Sequence, residues 1–383
     1  MNVSKQYART CINPIAAASC NDSRIADTRN PMQCYTHYRS KFSYMAGFVE
    51  PKTHLGRDRM SWLFVLLLSA TLAGAQTTQA LKLEKTIELP EVQGRIDHMS
   101  LDLKGDRLFV AALGNNTVEV IDLKAGKRVH TIPGLKEPQG LLYVPAVNRL
   151  YAANGNDGSV RIFDGTSFKQ LGTVDYGDDA DNLRYDSAKN HIYVGYGSGG
   201  LGEFDTDGKK IVETKLDAHP ESFQLEKKGS RIYVNLPKSL KVAVVDREKR
   251  AVLATWQTGG PLANYPMALD ETNHRLFVVT RFPARLLVFN TETGKTIQSL
   301  TAVGDCDDVF YDQARKRIYA TGGEGAISVF EQQTPDQYKE LARIPTVKGA
   351  RTSFFSPELD RLYLAVRREG SKAAMIQVFA ISQ

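Results

Sequence analysis

The sequence predicts an all-β fold: a seven-bladed β-propeller with about four strands per blade and a ring closed by an N-terminal strand. Three observations predict it. First, a short apolar–aromatic pair recurs seven times, at Leu108-Phe109, Leu150-Tyr151, Ile192-Tyr193, Ile232-Tyr233, Leu276-Phe277, Ile318-Tyr319 and Leu362-Tyr363. The steps are 42, 42, 40, 44, 42 and 44 residues, the length of a four-stranded blade. Second, a β-patterned run follows each pair, as at Val118/Val120 and Ile327/Val329, between Gly, Asn, Asp and Pro turns. Third, the last unit, residues 352–381, has only three strand-like runs. LEKTIELP, residues 83–90, supplies the missing strand from the other end of the chain, which would leave no free edge.

Taken from the N-terminus, residues 1–59 carry no repeat and no core pattern, and read as a non-structural or mis-called leader. Met45 and Met60 are alternative starts to Met1. Residues 60–75 read as a signal peptide: Arg57 and Arg59 precede the apolar run WLFVLLLSATLAG, and Ala73-Gly74-Ala75 offers a small-residue cleavage site. The run is short for a bilayer span, so no membrane span is expected after cleavage. Residues 76–383 then form a single propeller, exported to the periplasm or the extracellular space and expected to be a monomer. Three of the four cysteines fall in residues 1–44, and Cys306 alone has no internal disulfide partner.

Charge excludes one class of partner. The net charge of +6 is concentrated at the N-terminus: residues 1–75 hold nine Lys/Arg and four Asp/Glu, leaving 40 basic against 39 acidic side chains. A nearly neutral body without a basic stripe argues against nucleic acid.

The repeat aligns the inner-strand entrances without gaps. Eleven residues before each anchor pair lie Asp97, Gln139, Asp181, Glu221, Tyr265, Asp307 and Arg351, all polar. One place later come His98, Gly140, Asn182, Ser222, Pro266, Asp308 and Thr352; two places earlier, Arg95, Glu137, Asp179, His219, Ala263, Asp305 and Gly349. This collar is the expected ligand or channel mouth, with Asp97, His98, Gln139, Asp179, Asp181, Asn182, His219, Glu221, Tyr265, Asp307, Asp308 and Arg351 as its site residues. The plain alternative is a wet channel lining in which Arg351 neutralises Asp307 and Asp97.

Two carboxylates about 6 Å apart at an effective dielectric of about 20 repel by roughly 3 kcal/mol. Such a collar favours a cation, and a divalent one is the expected cofactor if there is any. Asp181, Glu221 and Asp307 are its candidate ligands. His98 and His219 add imidazoles suited to transition metals, but they stand on blades one and four, too far round the ring to share an ion. No HxxxH or CxxC spacing marks a dedicated centre. Cys306 lies between acids that raise a thiol pKa, which makes it a structural residue rather than a nucleophile. GYGSGG, residues 195–200, has no following helix and reads as a strand-linking turn. His130, His191 and His274 fall at outer-strand or turn positions and are expected to face solvent.

The units RLFVAALGNNTVEVIDLKAGK, residues 107–127, and HIYVGYG, residues 191–197, resemble the repeat of the YVTN family of bacterial seven-bladed propellers, the YncE-like proteins. Weaker copies extend the resemblance from about Asp97 to the C-terminus. It implies an exported propeller and supplies no catalytic set. WD-repeat and quinoprotein propellers fit poorly, since Trp256 is the one tryptophan after residue 75. Two functions follow as expectations. The first is a non-catalytic binding module offering its mouth or loop face to a protein or small ligand. The second is a metal-dependent lactonase or lyase with a divalent ion in the mouth.

Overall fold

Each anchor pair lies on the second strand of a four-stranded antiparallel sheet, and seven such sheets form the ring. The computed structural model describes residues 79–382; the leader and signal-peptide readings lie outside them. Blades 1 to 6 span residues 99–132, 138–175, 183–215, 223–257, 262–301 and 306–345, with strands in chain order from the channel outward.

Blade 7 has mixed termini, as expected. Its strands Ser353–Ser356, Arg361–Val366 and Ala374–Ile381 are completed by Leu81–Leu89, paired antiparallel to the last of them. The closing strand starts two residues earlier than the sequence pattern indicated, because Leu81 is itself buried opposite Ile381. A register shift between Leu83 and Lys85 leaves Leu83 exposed. The strand enters two cores. Leu81 packs with Tyr319, Ile327 and Phe355 between blades 6 and 7. Ile87 and Leu89 pack with Met99, Leu108 and Val110 between blades 7 and 1.

The hydrophobic patterning reflects radial position. Second strands such as Arg107–Ala112 are covered on both faces by neighbouring blades and are buried almost throughout. Outermost strands such as Lys127–Ile132 face solvent and are mostly exposed. The anchor aromatics Phe109, Tyr151, Tyr193, Tyr233, Phe277, Tyr319 and Tyr363 are all buried.

The residue before each pair is Arg in six units, and five of these brace the ring; Arg361 instead pairs with Glu84 of the closing strand in its own blade. The Arg107 Nη1 donates to the Gly165 carbonyl of the next blade at 2.7 Å, and Arg231 reaches the Thr291 carbonyl at 2.7 Å. Arg149, Arg275 and Arg317 reach Thr206, Pro335 and Ser382 in the same way. His191, the exception, is not solvent-facing as expected. Its Nδ1 lies 2.6 Å from Glu203. Arg247 links blades 3 and 4 instead, donating to Asp186 at 2.7 Å and to the Glu226 carbonyl at 2.7 Å. His130 and His274 are exposed, on an outer strand and in a turn. Among the described residues no helix is long and apolar enough to cross a membrane.

Candidate functional site

The collar is positioned by a backbone device that repeats around the ring. Two residues before the collar position, Glu137, Asp179, Ala263 and Asp305 have φ of 54°, 36°, 61° and 52°. Gly349 has φ 81° at the same place. These left-handed residues turn the chain into the inner strand, a conformation that Asp and Gly tolerate well. The carbonyls of Glu137, Asp179 and Asp305 accept from the N–H of Gly155, Gly197 and Gly323, just beyond each second strand. The amides of Asp97, Asp181 and Glu221 donate to Ala111, Gly195 and Asn235. Gly140 adds no side chain because none fits: a Cβ there would meet the Asp181 carbonyl oxygen at 2.1 Å.

On one side, the carboxylates are paired with arginines. Asp307 accepts from Arg281 Nη2 at 2.5 Å and lies 2.8 Å from Arg351 Nε. Asp305 lies 3.0 Å from Arg351 Nη1 and 3.4 Å from Arg281 Nε. The Arg281 guanidinium stacks 4.0 Å from the Tyr265 ring centroid. Asp97 is ion-paired to Arg95. Arg351 thus ion-pairs with Asp305 and Asp307, while the ion pair of Asp97 is with Arg95.

His98 lies between two acids, its Nε2 3.6 Å from Asp97 and its Nδ1 3.4 Å from Asp308. Burial disfavours an imidazolium there, but Asp308 and Asp97 outweigh it and push the His98 pKa up to about 10. Burial would raise Asp97 as well, yet His98 and Arg95 hold its carboxyl below the ordinary range. Burial raises Asp308, partly offset by His98 and by the Ser353 N–H that donates to it at 2.7 Å. His98 thus stands between two carboxylates that favour its imidazolium form.

The other side lacks such pairs. Asp181, His219 and Glu221 each offer a ligand atom, all within 4.8 Å of one another. Asp181 is 6% exposed, and among the described residues no Arg or Lys pairs with it or with Glu221. Burial, then the neighbouring Glu221, pushes the Asp181 carboxyl up to about 8. Burial and Asp307 push Glu221 to about 7, with Arg281 offsetting them only in part. The His219 Nδ1 lies 2.6 Å from the Gly197 carbonyl and 3.6 Å from Asp179. An Nδ1–H donated to that carbonyl leaves the Nε2 lone pair on the side of Glu221, 4.0 Å away. Gln139 donates to Asp179 at 3.0 Å and extends the network into blade 2.

The expected site residues thus divide into groups. Asp181 and Glu221 share a cluster with His219, whereas Asp307, the third expected metal candidate, is held by two arginines. His98 pairs with Asp97 and Asp308, and His219 lies with Asp181 and Glu221. Cys306 is buried, and burial together with Asp307 and Asp308 raises its thiol pKa well above normal.

Two residues of the site were missed in the sequence. Arg281 lies five places after its anchor pair begins, where other blades carry Leu113, Gly155, Gly197, Pro237 and Gly323. Among those small and apolar residues an arginine was a readable signal, repeated only by Arg367 in blade 7. Arg184, three places below Asp181, was the other.

No family model and no curated protein matches the chain. It is similar in structure to a chain solved in the "Crystal Structure of Mitotic Checkpoint Complex", with a TM-score of 0.67 over 84% of this chain and 99% of that one. Their 13% sequence identity establishes a shared fold alone. Some 1800 solved chains match, and a fold that common carries many functions.

Proposed function

We propose that this protein is an exported, non-catalytic binding module whose axial mouth takes a divalent cation, or a ligand centred on one, at Asp181, His219 and Glu221. The observation that carries this reading is the contrast within the collar. Asp97, Asp305 and Asp307 have arginine partners, while the buried Asp181 carboxylate has none and faces a second unpaired acid and an imidazole. A mixed carboxylate–imidazole set favours a transition metal over Ca²⁺. Tetrahedral ligation at about 2.1 Å needs ligand atoms roughly 3.4 Å apart, which rotation of the Asp181 and Glu221 side chains can supply.

The test is calorimetric titration and thermal unfolding after chelation, with Zn²⁺, Mn²⁺ and Ca²⁺ added in turn. An ion at a hundred times its Kd stabilises the fold by about 2.7 kcal/mol. Zn²⁺ or Mn²⁺ should raise Tm in the wild type and not in Asp181→Asn/Glu221→Gln or His219→Gln. Equal shifts in all three proteins, or no shift in the wild type, would overturn the reading.

One observation favours the second reading, a metal-dependent lactonase or lyase. Three protein ligands leave coordination positions open, as in catalytic rather than structural zinc sites. Metal-dependent turnover of a lactone panel that disappears in His219→Gln would establish it over the non-catalytic module.

A further inference from the structure

We infer that the waist of the axial channel, below the collar, is a separate site for a small carboxylate with an apolar body, held by Arg184. The repeat register explains why the waist differs from the mouth. Eight residues before the anchor pairs, the inner strands carry Leu142, Ala268, Phe310 and Phe354, with only Ser100, Arg184 and Gln224 polar. One guanidinium thus stands in a largely apolar ring. Two adjoining cavities, of about 260 and 270 Å³, share Arg184, Gln224, Asp308 and Phe310 in their walls. Apolar walls with a few placed polar groups are the usual make-up of a small-molecule site, and these volumes set the ligand at about one ring or a short chain.

The charge of Arg184 is not neutralised by an ion pair. Its Nη1 donates to the Leu183 carbonyl at 2.8 Å and its Nη2 to Ser222 Oγ at 3.4 Å. Its Cζ lies 5.5 Å from the Phe223 ring centroid. These contacts occupy two of the five N–H groups of a guanidinium. Among the described residues no carboxylate lies within ion-pair distance of it, whereas Arg95, Arg281 and Arg351 at the mouth are all paired.

The charged groups facing it are Asp308 and, further off, Asp181. Asp308 is occupied by His98 and the Ser353 N–H. Burial disfavours the guanidinium charge. An arginine keeps its proton nonetheless, so an uncompensated cation attracts an anion. A carboxylate matches the guanidinium fork with two parallel hydrogen bonds. Phe310, Phe354 and Leu142 would cover its apolar body. None of Asp181, His219 and Glu221 lies in the cavity walls, so the waist is tested apart from the proposed cation site.

The experiment is calorimetric titration with benzoate, benzamide and benzylamine, with sulfate as a further arm, all in the presence of chelator. Benzoate should bind the wild type, and benzamide and benzylamine should bind at least about tenfold more weakly. Arg184→Gln should weaken benzoate by about tenfold or more, and Phe310→Ala should weaken it with the guanidinium intact. Asp181→Asn/Glu221→Gln should bind benzoate at least as tightly as the wild type even where it has lost metal binding, because losing an acid that faces Arg184 favours an anion there. The site is refuted if benzamide matches benzoate, if sulfate binds as tightly, or if Arg184→Gln leaves the affinity unchanged. It is also refuted if benzoate fails to bind at millimolar concentration. Should Arg184→Gln fail to fold, unaltered benzoate binding by Phe310→Ala overturns the proposal. Benzoate binding lost only in Asp181→Asn/Glu221→Gln would put the anion at the mouth and overturn it too.

Discussion

Asp307 and Asp181 occupy the same position in blades 6 and 3, each two residues after a left-handed aspartate, yet their surroundings oppose each other. Asp307 is held between Arg281 and Arg351 at 2.5 and 2.8 Å. Asp181 faces Glu221 and His219, and its carboxyl is pushed up to about 8. The difference lies in what neighbouring blades deliver. Blades 5 and 7 send arginines toward Asp307; blade 4 sends an acid and an imidazole toward Asp181. A propeller position therefore sets where a side chain stands but not its charge state.

The largest expected effect breaks the arginine side at its support. Arg351 and Arg95 flank the junction of blades 7 and 1, which Leu81–Leu89 closes and Thr352 bridges through a 3.0 Å hydrogen bond to the Ile96 carbonyl. Deleting Leu81–Leu89 exposes the Ala374–Ile381 edge and two apolar cores. Loss of cooperative unfolding, or aggregation, is expected in a urea titration; an unchanged transition would disprove closure by this strand.

Next comes Arg281→Gln, which should make Asp307 resemble Asp181. Removing one of the two arginines that hold a mostly buried carboxylate leaves Asp307 with Arg351 alone, at a cost of up to about 3 kcal/mol. Chemical denaturation at pH 7 measures it, and a loss below about 0.5 kcal/mol would mean Arg351 suffices alone.

The converse change relieves the acidic side. Asp181 and Glu221 have folded pKa values of about 8 and 7, above the ordinary value near 4 for an exposed carboxylate. Between pH 4 and pH 8 the folded state binds more protons than the unfolded state, so their contribution to stability falls as pH rises through that window. In the presence of chelator, Asp181→Asn/Glu221→Gln should match the wild type near pH 4. Its advantage over the wild type should grow steadily as pH rises to 8. A stability difference that does not grow with pH would show that the wild-type acids are not strained.

Tyr265→Leu has the smallest expected effect. It removes the ring stacked on Arg281 but leaves both ion pairs, for a loss of about 1 kcal/mol. A loss as large as that of Arg281→Gln would mean that the ring, rather than the carboxylates, orients the guanidinium.

The chain's local pattern by itself determined the blade count, the four-stranded unit, the closure from the N-terminus and the membership of the collar. These are legible because a strand repeats its facing every second residue and a blade every 40 to 44, so one register fixes all seven copies. Even the bracing arginines were visible as a recurring residue before the anchor pair, though their targets lie a blade away.

Only the tertiary structure decided which collar acids are neutralised. Arg281 reaches Asp307 from a second strand in a different blade, and Arg351 ion-pairs with Asp305. It also decided that His191 is held against Glu203, and that Arg184 stands unpaired in an apolar ring. The physical reason is that pairing and desolvation depend on distances between blades. Those distances are set by ring closure and by cross-blade packing, and no spacing along the chain encodes them.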